Sequence, residues 1–211
     1  MLQKRNLVFV FSAILSLLLV ACGATADDGG DADSSSAGSV NLSQSLSFDD
    51  EVGGSVTLNY PDGWASNTDT GLITLASSEE LITENPDSPE SGQVLTSVIV
   101  LPPEMASIFV SGGEEVSVVS LANSFPTTFG EGSETFSEVE ETTIDGKTAA
   151  ILTGEIESED AAISVVIVAI ALEGDSYAII LGGTALGESD SIRVTIEAIA
   201  GSVSYTAGES E

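Results

Sequence analysis

The side chains that could carry chemistry in this chain are almost all carboxylates. The sequence holds 34 Asp and Glu residues, four Lys and Arg residues, one cysteine and no histidine. Relays of Cys and His, or of Ser, His and Asp, are therefore excluded, because each requires an imidazole as its base. Two carboxylates that flank a glycosidic bond can hydrolyse it without histidine, but no spacing in the sequence singles out such a pair. We therefore predict that the protein is not an enzyme, and a carboxylate-based hydrolase of surface glycans is the alternative.

Two acidic stretches have the composition of a cation site. Residues 27–33 (DDGGDAD) are acidic enough to begin a calcium-binding loop of the EF-hand type. However, Ser36 and Leu42 occupy the places where an EF-hand needs glycine and a distal glutamate. Residues 138–141 fall in a predicted strand, where alternate side chains point to opposite faces. A solvated linker and a solvated strand are the favoured interpretations, so we predict no metal and no cofactor. Weak divalent-cation binding is a second alternative.

The one cysteine lies at a position that predicts lipidation. Residues 7–21 form an apolar run after Lys4 and Arg5, which is the layout of a secretory signal peptide. This run is shorter than the about 20 apolar residues of a spanning helix, and its end, residues 19–22 (LVAC), resembles the bacterial lipobox. We predict cleavage before Cys22 and acylation of its sulfur, since two acyl chains hold a protein on a bilayer where one is marginal. A signal peptide with an incidental cysteine is the alternative.

The composition divides the chain into four segments. Residues 1–21 are the predicted signal peptide, and residues 22–45 are the lipidated Cys22 followed by a flexible tether of Gly, Ser, Ala and Asp. Such a tether spans about 25 Å root-mean-square. Residues 46–206 are predicted to form one domain, and residues 207–211 an acidic tail.

The charge of the mature chain limits its partners. Cleavage removes two of the four basic residues, so that Lys147 and Arg193 face all 34 acidic residues. This field repels nucleic acid and anionic lipid headgroups, so we expect no nucleic acid partner and membrane contact only through the acyl anchor on Cys22. Because the acids are spread along the chain, a solvated surface suited to a saline habitat is favoured over binding of cations or of a basic partner.

Four further residues have a structural interpretation. Lys147 follows an Asp-Gly turn and is predicted to be an exposed hairpin lysine. Arg193 and Glu197 have the spacing of a surface ion pair on a helix, which contributes little to stability. Trp64, the one tryptophan, is predicted to pack against the sheet rather than to stack on a ligand.

Alternating apolar and polar residues predict strands in the first half of the domain. Val56, Leu58 and Tyr60 alternate with polar residues and end at the turn sequence 61–63 (PDG). The other predicted elements are a partner strand at 72–76, an acidic loop at 79–92, a strand at 94–101, a short helix at 103–110 and a helix at 114–129 that Pro126 disturbs.

The second half carries clearer signals. Asp145-Gly146 between two strand-like runs, 134–144 and 148–157, predicts a hairpin. Residues 161–172 (AAISVVIVAIAL) predict a central strand covered on both faces, followed after a turn by an antiparallel strand at 177–183. An amphipathic helix follows Ser189 and Asp190, its two capping candidates, and carries an apolar stripe of Ile192, Ile196, Ile199 and Val203. Sequential strands with helices at the middle and end indicate an α+β fold.

These segments together resemble the PsbP-like superfamily. The resemblance is carried by residues 60–64 (YPDGW), 71–75 (GLITL), 144–150 (IDGKTAA) and 201–203 (GSV), and it covers residues 48–206. It implies a central antiparallel sheet sandwiched by helices, and non-enzymatic binding or assembly work. The chain departs from the family in having no histidine and in carrying Val203 where an aromatic residue is usual.

The sequence therefore predicts a lipoprotein held on the extracytoplasmic side of the cell membrane through Cys22. Its single domain is expected to be a monomer that serves a non-catalytic binding or accessory role. The protein partner is not identified by any motif in the sequence.

Overall fold

The computed structural model describes residues 40–49, 54–68, 72–83, 88–110, 115–126, 133–157 and 162–208. The described strands are β1 (Gln44–Asp49), β2 (Ser55–Tyr60), β3 (Ala65–Asn67), β4 (Ile73–Ala76), β5 (Leu95–Leu101), β6 (Ser133–Phe136), β7 (Glu140–Ile144), β8 (Lys147–Glu157), β9 (Ala162–Ala171), β10 (Tyr177–Ala185) and β11 (Ser204–Thr206). The described helices are α1 (Glu79–Thr83), α2 (Pro103–Phe109), α3 (Val118–Ser124) and α4 (Ser189–Ser202), with one 3-10 turn at Glu173–Asp175. The predicted signal peptide, Cys22, the acidic stretch at 27–33 and most of the tether lie outside these residues.

The strands form two antiparallel sheets. The large sheet has eight strands in the order β3-β4-β5-β10-β9-β8-β6, and β7 pairs with β8 beside β6. The small sheet has three strands in the order β1-β2-β11. The sequence analysis expected β2 to pair with β4. This prediction is wrong, because the two strands belong to different sheets.

Strand β9 is the centre of the large sheet, as its composition predicts. It pairs with β8 on one side and β10 on the other, and every residue from Ile163 to Ile170 is buried. β-Branched residues on both faces favour such a doubly covered strand.

Helix α4 and the small sheet cover one face of the large sheet. Val166, Val168 and Ile170 of β9 belong to the same buried cluster as Ile196 of α4 and Leu58 of β2. The predicted stripe on α4 is confirmed, since all four of its apolar residues are buried: Ile192, Ile196, Ile199 and Val203. We call this cluster the α4-side core.

Helices α2 and α3 cover the opposite face. Val165 and Ile167 of β9 lie in a second cluster with Phe109 of α2 and with Val118 and Leu121 of α3. Helices thus lie on both faces of an antiparallel sheet, which confirms the predicted α+β sandwich.

The predicted Asp-Gly hairpin is present between β7 and β8. Asp145 has φ 48° and Gly146 has φ 77°, and Ile144 pairs with Lys147 across the turn. Positive φ at both central residues is the type I′ geometry that matches the twist of the two strands.

Helix boundaries differ from the predictions at three places. Helix α1 lies in the stretch predicted to be a loop; it carries Glu79 and Glu80 in its first turn, where acids are favourable, and it buries Leu81. Helix α3 begins later than predicted because the Ser117 and Ser120 side chains form a capping box with each other's backbone. Neither Ser189 nor Asp190 caps α4, whose N-cap is Glu188 without a side-chain hydrogen bond.

Three short or exposed strands escaped the sequence analysis: β1, β3 and β11. Strand β1 begins at Gln44, two residues before the predicted start of the domain. In the described part of the chain, no helix combines the length and apolarity needed to cross a bilayer.

Candidate functional site

The predicted lipidation site, Cys22, lies outside the described residues, so its acylation stays a prediction. The first described strand is β1, which lies at the edge of the small sheet. The acidic stretch at 27–33 and Ser36 also lie outside the described residues, whereas Trp64, the stretch at 138–141, Lys147, Arg193 and Glu197 lie within them.

Lys147 is not the exposed lysine that its turn position suggested. Its side chain is half-buried, and its Nζ donates hydrogen bonds to the backbone oxygens of Gly201 at 2.6 Å and Val203 at 2.8 Å. These oxygens lie at the C-terminal end of α4, where the helix dipole is negative and carbonyl groups lack helical partners. Lys147 therefore caps α4 from the neighbouring hairpin.

Arg193 makes the predicted ion pair and a second one. Its Nε donates to Glu197 on the same helix at 2.6 Å, and its Nη2 donates to Glu140 of β7 at 2.7 Å. The hydrogen bonds that Arg193 donates to Glu197 and then to Glu140 raise its pKa, and burial only partly opposes this shift. The guanidinium thus links α4 to the first residue of β7.

Both basic residues of the described part of the chain therefore join α4 to the β7–β8 hairpin. We call the two basic residues and their partners the hairpin–helix clamp: Lys147 with Gly201 and Val203, and Arg193 with Glu140 and Glu197. Between them the surfaces approach closely, since a Cβ atom on Gly201 would lie 3.1 Å from Ile144 Cγ2. The sequence showed the Arg193–Glu197 spacing but gave no signal for the contacts across 50 or more positions.

The structure brings Glu140 and Glu197 together in a way that does not favour hydrolysis. Both carboxylates accept hydrogen bonds from the Arg193 guanidinium that lies between them. A glycosidase needs space for a sugar between its two carboxyl groups, and one of them must donate a proton. The Arg193 guanidinium occupies that space here.

The acidic stretch at 138–141 does not converge on one point. Glu140 and Glu141 are consecutive in β7, so their side chains lie on opposite faces of the sheet. Among the residues that the structure describes, there is no group of three or more acids, cysteines or histidines placed to hold a metal ion.

A carboxylate that the sequence analysis did not single out holds a loop in place. Glu188, just before α4, accepts hydrogen bonds from Ser91 Oγ, from the Gly92 amide at 2.9 Å and from Thr184 Oγ1 at 3.5 Å. These bonds, with that of Ser91 the largest cause, lower the pKa of Glu188. Because Ser91 and Gly92 lie more than 90 positions earlier in the chain, no local pattern could have identified their contact with Glu188.

Trp64 packs as the sequence analysis predicted. It lies just before β3 and is half-buried against the α4-side core. Its position is fixed from the backbone, where its amide donates to the Pro61 oxygen at 3.4 Å in the turn that ends β2.

Comparisons with known proteins give structural neighbours only. No family model and no curated protein matches the sequence. Among solved structures, LpqN of Mycobacterium tuberculosis, described as involved in cell envelope biogenesis, is 14% identical over 77% of this chain and 91% of its own, with a TM-score of 0.47. The cyanobacterial PsbP of Synechocystis sp. PCC 6803 is 15% identical over 82% of this chain and 98% of its own, with a TM-score of 0.43. A Pseudomonas aeruginosa protein of unknown function, PA94, is 12% identical over 71% and 88%, with a TM-score of 0.39.

A cyanobacterial PsbP is thus among the solved structures to which this chain is similar. At identities of 12 to 15% the likeness concerns the course of the backbone alone. What these three proteins do is not transferred to this chain.

Proposed function

We propose that this chain is an extracytoplasmic lipoprotein, anchored in the cell membrane through acyl chains on Cys22, whose α+β domain has a non-catalytic binding or accessory role. The observation that carries the anchor is the LVAC sequence at 19–22, which ends an apolar run and contains the one cysteine of the chain. A thiol at this point of the leader lies at the bilayer surface, where acyl transfer takes place.

The non-catalytic role is supported by how the described domain uses its reactive groups. Its two basic residues form the hairpin–helix clamp. Glu140 and Glu197 share Arg193 as their ion-pair partner, and its guanidinium separates the two carboxylates. A hydrolase of surface glycans would need a free carboxyl pair, which no contact among the described residues favours.

The anchor is tested by metabolic labelling of the full chain expressed in a bacterium. Cells are grown with an alkyne-bearing palmitate analogue, and labelled protein is detected after cell fractionation. We expect the wild-type chain to be labelled and to fractionate with membranes, and mass spectrometry to place the modification on Cys22. Protease added to intact spheroplasts should then degrade the domain, because the domain faces outward.

The matched variants are Cys22→Ser and Ser16→Ala. The first removes the acceptor sulfur and should lose the label and keep its leader, whereas the second alters the apolar run without touching the motif and should behave as wild type. Label that persists in Cys22→Ser, or an unlabelled wild-type chain with a free thiol, would contradict the proposal. A domain protected from protease in spheroplasts would contradict the outward orientation.

A further inference from the structure

The two sheets have open edges that differ in how well they are protected against strand addition. Exposed edge strands pair readily with other chains, and proteins guard them by keeping them short or by placing charges on them. In the described part of the chain, strands β3 and β11 have only three residues each, β6 has four, and β7 begins with Glu140 and Glu141. Strand β1 is six residues long, QSLSFD, and its one charge is at its last position.

The hydrogen-bonding direction of β1 follows from its partner strand. Both the amide and the carbonyl of Asn59 in β2 bond to Ser202 Oγ, at 2.9 and 3.2 Å, on the side away from β1. Neighbouring pairs in an antiparallel ladder alternate between bonded and non-bonded, and Asn59 is opposite Ser45. The amides and carbonyls of Ser45, Ser47 and Asp49 therefore point to the open edge.

The side chains of β1 are also arranged as addition of another strand would require. Ser45, Ser47 and Asp49 are exposed, whereas Leu46 and Phe48 are half-buried against the α4-side core. An added strand would bond to Ser45 and Ser47, about 6.8 Å apart along the edge. Its own inward side chains would cover the exposed parts of Leu46 and Phe48.

We propose that the β1 edge binds an extended, basic segment of another protein by strand addition, with apolar side chains facing inward and Lys or Arg facing outward. This proposal rests on the binding role proposed above and names its partner chemistry. For a segment that adds to this edge, a basic sequence is favoured over an acidic one because the chain has a formal net charge of −30, and because Lys147 and Arg193 are both engaged within the fold. A second copy of this chain carries the same negative charge and is repelled.

The experiment measures binding of a blocked eight-residue peptide of alternating lysine and valine to the full-length mature chain in nanodiscs made of neutral lipid. Fluorescence anisotropy gives the affinity, and hydrogen exchange reports on the Ser45 and Ser47 amides. We expect saturable binding and slower exchange at both amides. The Ser47→Pro variant removes one outward amide and no bond to β2, so the affinity should fall about tenfold.

Ser47→Ala is the matched control, because it keeps the amide, and its affinity should stay within about twofold of wild type. A peptide with N-methyl groups on alternate amides, and one with glutamate in place of lysine, should both fail to bind. Equal affinity of the Ser47→Pro and Ser47→Ala variants, binding of either control peptide, or a dimer formed through β1 would overturn the proposal.

If Ser47→Pro does not fold, hydrogen exchange of the wild-type chain decides. Unchanged exchange at Ser45 and Ser47 on addition of the peptide would also overturn the proposal. Labelling at Cys22 is independent of every one of these results, so failure of strand addition leaves the anchor standing.

Discussion

At the scale of single residues, the charged and polar groups of the described domain differ in how many of them have hydrogen-bond partners. Lys147 and Arg193 have all their observed partners within the fold. Most carboxylates lie at exposed positions, whereas Glu188 accepts three hydrogen bonds. The buried hydroxyls of Thr96 and Thr184 also differ in whether they have a hydrogen-bond partner. Thr184 donates to the Gln93 oxygen at 2.8 Å, while Thr96 has no hydrogen-bond partner among the described residues.

The Thr96→Val substitution is therefore expected to stabilise the domain. Thr96 is fully buried in β5, and valine has its shape without the hydroxyl. Removing an unsatisfied buried group relieves a desolvation penalty, so the free energy of unfolding should rise by about 1 kcal/mol. Urea denaturation measures this change. Thr184→Val is the control and should lower stability by about 1 kcal/mol; a loss of stability in both variants would show that the Thr96 hydroxyl is satisfied.

Glu188 is expected to make stability depend on pH. Its pKa is lowered in the folded state from the ordinary 4.5, chiefly by the Ser91 hydrogen bond. Its contribution is therefore complete above the unfolded pKa and is lost as pH falls through the lower folded pKa. Glu188→Gln should reduce the free energy of unfolding at pH 7 by about 0.5–1 kcal/mol, a figure kept small because the group is near the surface.

The difference between wild type and Glu188→Gln should shrink as the pH is lowered from 5 to 3. Urea denaturation at several pH values in this range gives the comparison. Glu90→Gln removes the same charge from an exposed position of the adjoining loop and should show no such dependence. A constant difference between wild type and Glu188→Gln down to pH 3 would show that the hydrogen bonds to the Glu188 carboxylate do not stabilise the fold.

At the scale of elements, the sequence predicted those whose own residues decide their structure. Strand β9 is apolar on both faces, the Asp145-Gly146 turn has its own geometry, and α4 carries a periodic stripe. Strand β1 was missed because Leu46 and Phe48 are only half-buried and their neighbours are Ser and Gln, a composition shared with the tether. The pairing of β2 with β11 joins positions nearly 150 apart, and local patterns carry no information on such contacts.

The candidate sites also differ in whether local sequence or distant contacts define them. The lipidation site at residues 19–22 could be proposed from the sequence because a lipobox is a local pattern, and its acylation stays a prediction. The partners of Lys147 and Glu188 could not, because both contacts depend on where distant elements meet. Strand-edge protection also required the structure, since only the sheet order shows which strands are outermost.

Packing of α4 on the large sheet depends on a glycine. A Cβ atom at Gly182 would lie 2.5 Å from Ile196 Cδ1 and 2.6 Å from its Cγ1, whereas at Gly183 the nearest atom is the Leu95 oxygen at 3.8 Å. Gly182→Ala should lower the free energy of unfolding by about 1–3 kcal/mol through overpacking. Gly183→Ala, next in the same strand, should change it by less than about 0.5 kcal/mol. Equal effects in urea denaturation would show that α4 adjusts freely.

At the scale of the whole molecule, the apolar interior and the acidic exterior have opposite effects on stability. The two cores lie on either side of one sheet and are built almost entirely from aliphatic residues. The sequence as a whole carries 34 acidic residues against four basic ones, and the two basic residues of the described domain are engaged in the clamp. Repulsion among like charges favours expanded states. Burial of the two apolar cores therefore stabilises the folded domain, and repulsion among its surface carboxylates destabilises it.

Salt is therefore expected to raise the thermal stability of the domain. Screening shortens the Debye length from about 30 Å at 0.01 M ionic strength to about 3 Å at 1 M, which weakens repulsion among exposed carboxylates and leaves the buried cores in place. The melting temperature, followed by circular dichroism, should rise from 0.01 to 1 M sodium chloride and equally in potassium chloride. Chloride is used because sulfate stabilises proteins by exclusion from their surface. A melting temperature that is flat or falls would contradict this expectation, and a rise confined to one cation would indicate a specific cation site instead of screening.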